Sequence, residues 1–132
     1  LHYESTIETY LAITESHVAA ELSTGRGSVL IDRFLPDYAA YANVHGNCPS
    51  DLLKLMEHCH KLLAKSFGYD QVFYLPVEFS VADDGYRLID PKYQLAVDRA
   101  LKTVLESWHQ NYTEIRGTKD ERLAQALALI TS

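Results

Sequence analysis

The sequence is short of several things, and each shortage closes off a class of protein. It has only two cysteines, Cys48 and Cys59, too few for the disulfide framework of a small secreted domain. It has no apolar run long enough to span a bilayer, and no signal-peptide pattern is visible in it. Positive charge is also scarce: 12 Lys and Arg stand against 18 Asp and Glu, a formal net charge of -6. That balance argues against generic attraction to nucleic acid or to an anionic membrane, so neither is an expected partner. Three active-site signatures are missing as well. There is no G-x-G-x-x-G, no G-x-S-x-G and no G-x-x-x-x-G-K-[ST] anywhere in the chain. The cytoplasm is the expected compartment.

What is present reads as one soluble globular domain. The chain has 132 residues, 47% hydrophobic and 23% charged, enough for a single core. No internal repeat, low-complexity tract or linker interrupts it. Residues Thr6 to Leu22 carry Ile7, Tyr10, Leu11, Thr14, Val18 and Leu22 at helical spacing. "SVLID", Ser28 to Asp32, reads as a buried strand ending in a carboxylate. "CPSD" opens a helix whose buried stripe is Leu52, Met56, Cys59 and Leu63, with Leu55 and Leu62 alongside.

"QVFYLPVE", Gln71 to Glu78, is a second strand, weakened near its end by Pro76. Pro91 begins a helix with Val97, Leu101, Val104, Leu105 and Trp108 on its apolar face. "YTEIRG", Tyr112 to Gly117, is a third strand, and Asp120 to Ile130 a closing helix through Leu123, Ala126, Leu127 and Ile130. Strands alternating with helices predict a parallel α/β sheet covered on both faces. Ligands of such sheets bind beyond the carboxyl ends of the strands. The charged clusters fall there: Asp32 and Arg33, then Asp83 to Arg87, then Gly117 to Arg122.

Each cluster has two readings. Asp32 can hold Mg²⁺, directly or through water, or take a proton from an attacking hydroxyl; it can equally cap the turn that follows. Arg33 can grip a phosphate or carboxylate or simply be solvated. Tyr38 and Tyr41 can stack on a base or ribose, or form a core edge. In "ADDGYR" a glycine loop can swing Arg87 over a phosphoryl group, or be an acidic solvated turn. Gly117, Lys119 and Arg122 can wrap a purine edge or cap a helix. The remaining metal-ligand types, His45, Cys48, His58, Cys59 and His60, lack the paired-knuckle spacing of zinc sites, since His58, Cys59 and His60 are contiguous on a predicted helix.

Taken in order, these segments resemble the later part of a P-loop nucleotide or nucleoside kinase, and most closely the NadR-like group of AAA-type ATPases and kinases. The resemblance runs from about Thr9 to Ile130. It is carried by "VADDGYRLIDPKYQLAVDRALKTVLESW" and "YTEIRGTKDERLAQAL", which resemble that family's lid, lid helix, last strand and closing helix. "SVLIDRFLPDYAAY" is similar to its second acidic strand, and the Asp-Arg pair is also similar to that of thymidylate kinases. The resemblance implies a three-layer α/β kinase-like domain, seen without its first strand and phosphate loop.

It further implies ATP and Mg²⁺ as cofactors and a small-molecule acceptor. Asp32 would be catalytic and near Mg²⁺, and Arg87 would be the lid arginine on the transferred phosphoryl group. Arg33, Asp37, Tyr38, Tyr41 and Asp84 would face the acceptor, and Gly117, Thr118 and Arg122 the nucleotide; Arg99 is a further lid candidate. In that family the phosphate loop precedes the segment equivalent to Leu1, and the chain opens on Leu1 rather than Met. A larger native protein is therefore expected. A kinase-like module without turnover, or an ATPase with no acceptor, are the competing expectations; oligomerisation is left open.

Overall fold

The computed structural model describes residues 7–25, 27–46, 48–78 and 90–131. The expected lid, with Asp84 and Arg87, lies outside the described residues. The chain divides into two compact units, Leu1–Gly68 and Tyr69–Ser132.

The first unit is helical. Its elements are α1 (Ile7–Leu22), α2 (Leu35–His45) and α3 (Ser50–Phe67), and each helix packs on the other two. α2 makes the close packing possible. Leu35, Ala39, Ala40 and Ala42 are fully buried, and the three alanines present almost no side chain to keep neighbouring helices apart. Tyr10 of α1, Ala42 of α2 and Leu52 of α3 form one cluster, with Ile13, Cys48 and Leu53 packed against it. α2 begins with Pro at its second position and stops where Gly46 turns left-handed (φ 73°) and donates its N–H to the Ala42 carbonyl.

The second unit contains β1 (Phe73–Tyr74), α4 (Pro91–Ser107), β2 (Thr113–Glu114) and α5 (Lys119–Thr131). β1 and β2 pair in parallel, Phe73 opposite Thr113 and Tyr74 opposite Glu114. Asp90 caps α4 by accepting from the Lys92 N–H at 2.9 Å, one residue before the proline that pre-sets the helical φ. Val104, Leu105 and Trp108 supply the buried end of its apolar face.

Two expectations are corrected and a third is met only in part. Residues 28–32 form no strand: they run without regular structure into a bend, and Leu30 is 89% exposed. A strand needs a neighbour for its N–H and C=O groups, and no described residue pairs with this run. With "SVLID" irregular, the described sheet has two strands rather than three, so the described residues do not make up a three-layer α/β sandwich. Finally, the inward face of α3 is Leu52, Met56, His60 and Leu63; Cys59 is half-buried, while Leu55 and Leu62 are exposed. His60, at 1% exposure, takes the place expected of Cys59, with its ring edge-on to Phe34 at 5.1 Å. Among the described residues no helix is long and apolar enough to cross a membrane.

Candidate functional site

Two clusters carry the chemistry, one in each unit. The first is the entry to α2. Asp32 and Arg33 sit in the bend that feeds the helix, both exposed. Arg33 has φ 70°, the left-handed region that a side chain with a Cβ resists, at a cost on the order of 1 kcal/mol. Its guanidinium lies 5.9 Å from the centre of the Tyr41 ring, within cation–π range. Asp37 closes the turn by accepting the Phe34 N–H at 2.9 Å. Desolvation pushes the Asp37 carboxyl above its ordinary pKa, against the opposing pull of that N–H and of Arg33. Tyr38, on the same helix, stands edge-on to His17 at 5.5 Å. His17 in turn meets Glu21, one helical turn along α1. The bend therefore brings Arg33, Asp37 and Tyr41 together, and a buried His–Glu pair braces Tyr38.

The second cluster joins the end of β2 to the start of α5. Thr118 and Glu121 form a reciprocal cap: the Thr118 N–H donates to Glu121 Oε1 at 3.0 Å, and the Glu121 N–H donates to Thr118 Oγ1 at 3.2 Å. Sequence reading marks Gly117, Thr118 and Arg122 but misses the residue that organises them, Glu78. Its Oε2 accepts the Gly117 N–H at 2.8 Å and Arg122 Nη2 at 2.9 Å, and its Oε1 meets Arg116 Nη1 at 3.4 Å. Arg122 also donates to the carbonyls of Gly117 (3.1 Å) and Pro76 (3.0 Å). It thus ties the strand after β1 to the turn after β2. The hydrogen bond from Arg122, then that from Gly117, holds Glu78 below the usual carboxylate range. The signal for Glu78 was its place: an acid just beyond the carboxyl end of an apolar strand.

Behind the strands, Tyr74 donates its phenol to Asp98 Oδ1 at 2.5 Å, and Asp98 Oδ2 accepts the Val77 N–H at 3.5 Å. Burial first, and the Asp98 contact second, push the Tyr74 phenol up in pKa. Periodicity gave Asp98 no mark, because it lies between apolar positions on α4.

Metal binding depends on which residues converge. Among the described residues no group of three His, Cys, Asp or Glu side chains could hold a metal ion. Asp32 remains a single exposed carboxylate. That fits Mg²⁺ brought in with a nucleotide, where one or two carboxylates suffice and phosphate oxygens and water complete the shell; it does not fit an all-protein cage.

Comparison with known proteins completes the picture. Neither a curated protein nor a solved structure matches the chain. A family model does, over residues 4–122, a span that takes in the α2 bend and reaches Arg122 at the second cluster. The chain belongs to the AAA domain family, whose nucleotide-binding, ATPase-like character accords with acidic and basic residues gathered at the α2 bend and beyond β1 and β2.

Proposed function

We propose that this AAA domain serves ATP-dependent phosphoryl transfer, with Mg²⁺, to a hydroxyl of a nucleoside or nucleotide. The observation that carries the reading is the α2 bend, where a strained arginine over a tyrosine ring stands next to an exposed carboxylate. An acceptor of this class has a flat ring, a hydroxyl and often a phosphate. Tyr38 and Tyr41 offer ring surface, Arg33 a charge for phosphate, and Asp32 an acceptor for the hydroxyl proton and one oxygen for Mg²⁺. Asp37, which accepts the Phe34 N–H in the same bend, is assigned to the acceptor as well.

Gly117, Thr118 and Arg122 are assigned to the nucleotide. Since Glu78 already holds the Gly117 N–H and Arg122, a nucleotide engaging them competes with that carboxylate. Asp84 and Arg87 complete the proposal from the sequence resemblance, Arg87 as the cation for charge developing on the transferred group. ATP supplies the phosphoryl group when bound; residues of this chain position the acceptor and the base. A three-layer kinase-like domain and a cytoplasmic setting belong to the same proposal.

The test is turnover of the full-length protein with Mg-ATP and a panel of nucleosides and nucleotides, the product identified by mass. Asp32→Asn and Arg87→Ala are expected to lower kcat by about 10²-fold or more with a smaller change in KM. ADP released with no phosphorylated acceptor would assign a plain ATPase instead. The competing reading is a catalytically inactive kinase-like module that acts as a binding or scaffold protein. Absence of Mg-ATP binding by calorimetry would establish it, and micromolar binding would exclude it.

A further inference from the structure

The exposed faces of α1 and α3 are opposite in charge, each has an uncovered apolar edge, and neither takes part in phosphotransfer as proposed. α1 is inverted for a helix that meets water. Thr14 and Glu21 are buried, whereas Ile7, Leu11 and Leu22 are 51%, 45% and 58% exposed. With the half-buried Val18 these residues recur at i, i+4, i+11 and i+15, a row along one side of the helix next to its buried stripe. Glu8 and Glu15, seven residues apart and exposed, border that row, and α1 contains no lysine or arginine.

α3 carries the other sign. Lys54, His58, Lys61 and Lys65 recur at i, i+4, i+7 and i+11 and are all exposed, so three of the chain's six lysines stand in one line on a single helix. Leu55 and Leu62, 42% and 51% exposed, run beside that line. Lys61 meets Glu57 at 2.7 Å within the helix, while Glu8, Glu15, Lys54 and Lys65 enter no ion pair among the described residues. The helices have 16 and 18 residues, about 24 and 27 Å at 1.5 Å per residue, so the two faces match in length.

Charge decides what covers them. An anionic membrane or a nucleic acid would suit α3 but would be repelled by α1 and by a chain of formal net charge -6. A second copy of the chain brings both complements at once: an acidic apolar face for α3 and a basic apolar face for α1. A two-fold axis sets α1 of each copy on α3 of the other, so the contact is made twice and leaves no open end.

We infer that this chain forms a two-fold homodimer in which the acidic apolar face of α1 in one protomer docks on the basic apolar face of α3 in its partner. No residue assigned to the acceptor or the nucleotide lies in either face, so the dimer stands or falls apart from phosphotransfer.

The test is the mass of the intact protein in solution by analytical ultracentrifugation, with charge reversed on each face in turn. The wild type is expected at twice the mass of one chain. Glu8→Lys with Glu15→Lys makes both faces basic, and Lys54→Glu with Lys65→Glu makes both acidic. Each pair is expected to weaken dimerisation about tenfold or more, since like charges then oppose each other. Mixed in equal amounts, the two variants regain opposite charge at both contacts and are expected to dimerise with one another. Lys92→Glu with Lys102→Glu alters net charge as much as the α3 pair but lies in the other unit, and is expected to leave the dimer intact. Far-ultraviolet circular dichroism verifies that each variant is folded. Where a charge-reversed pair is not, Leu62→Glu, a carboxylate in the apolar row of α3, takes its place, and a dimer that survives it overturns the proposal. Recovery on mixing supports the interface. A monomeric wild type overturns it, as does a dimer indifferent to charge reversal, a monomeric Lys92→Glu, Lys102→Glu control, or two variants that stay apart when mixed.

Discussion

Among the described residues up to Gly68 the side chains at 0% exposure are Leu35, Ala39, Ala40, Ala42 and Met56, and three buried polar residues, Thr14, Glu21 and His60, accompany them. Among residues 69–132 the counterpart is a set of directed bonds: Tyr74 to Asp98, Gly117 and Arg122 to Glu78, and Thr118 with Glu121. The first unit is held chiefly by packing without direction, the second by polar contacts of fixed geometry. α5 shows the difference most plainly, since none of its residues is buried and its bonds to the segments that follow β1 and β2 run through Arg122, to the Pro76 carbonyl, and Gln125, to the Arg116 carbonyl. Packing tolerates a change of chemistry and punishes a change of volume. A hydrogen-bonded tie does the reverse.

That contrast can be broken from either side. The largest effect is expected from volume in the helical unit: Leu35→Ala should cost about 2–5 kcal/mol in urea unfolding, because a fully buried leucine leaves a cavity among helices already in contact. A loss below 1 kcal/mol would mean that the three helices close over the space. In the second unit, Tyr74→Phe keeps the shape and removes one donor from a carboxylate, for an expected loss of about 1.5–3 kcal/mol. Hydrogen exchange at β1 and β2 would localise it, and exchange unchanged there would show that the bond is redundant.

Acid sharpens the comparison, since the two units hold carboxylates shifted in opposite directions. Glu78 is depressed, so its contribution is present above the ordinary glutamate pKa and is lost as pH falls through the lower, folded value. Asp37 is raised, so the folded unit favours its neutral form. Stability there is highest below the ordinary aspartate pKa and declines as pH rises through the folded value. Glu78→Gln is expected to flatten the acid limb of unfolding in the sheet-bearing unit, and Asp37→Asn to flatten the opposite slope in the helical one. Carboxyl chemical shifts followed through pH 2–7 report both titrations directly. The smallest effect is a gain: the buried hydroxyl of Tyr10 has no hydrogen-bond partner among the described residues, so Tyr10→Phe should stabilise by about 1 kcal/mol. A loss on that substitution would reveal a bridging water.

How far the sequence announced this structure depended on whether local signals sufficed. α4 could be read directly, because Asp90 and Pro91 make its cap and first turn without help from the rest of the chain. α1 and α5 lie within a residue of their expected ends, and α3 begins at "CPSD" as expected. α2 was hidden: "LPDYAAYANVH" has no strong amphipathic period, since alanine serves equally well inside and outside, and only packing against two other helices decides its place. "SVLID" misled for the converse reason. β-branched composition marks a segment fit for a sheet, but a strand exists only with a neighbour to pair with. For the candidate site, residue types at strand ends pointed to Asp32, Arg33, Gly117 and Arg122. Glu78 and Asp98 were missed because what distinguishes them is a partner about 20 to 44 positions away along the chain.

The parallel pairing of Phe73 with Thr113 has a consequence in time as well as in space. Its two partners stand 113 − 73 = 40 positions apart, so the first ladder contact must close a long loop at an entropic cost of about 3 kcal/mol before any bond repays it. Ala42 and Leu52, by contrast, meet over a much shorter stretch of chain, on helices that nucleate locally. Refolding should therefore be sequential, the helical half ordering early while the strand pair is still searching. Through that interval the apolar residues of β1 are uncovered, and the newly made chain is then at its most prone to aggregate.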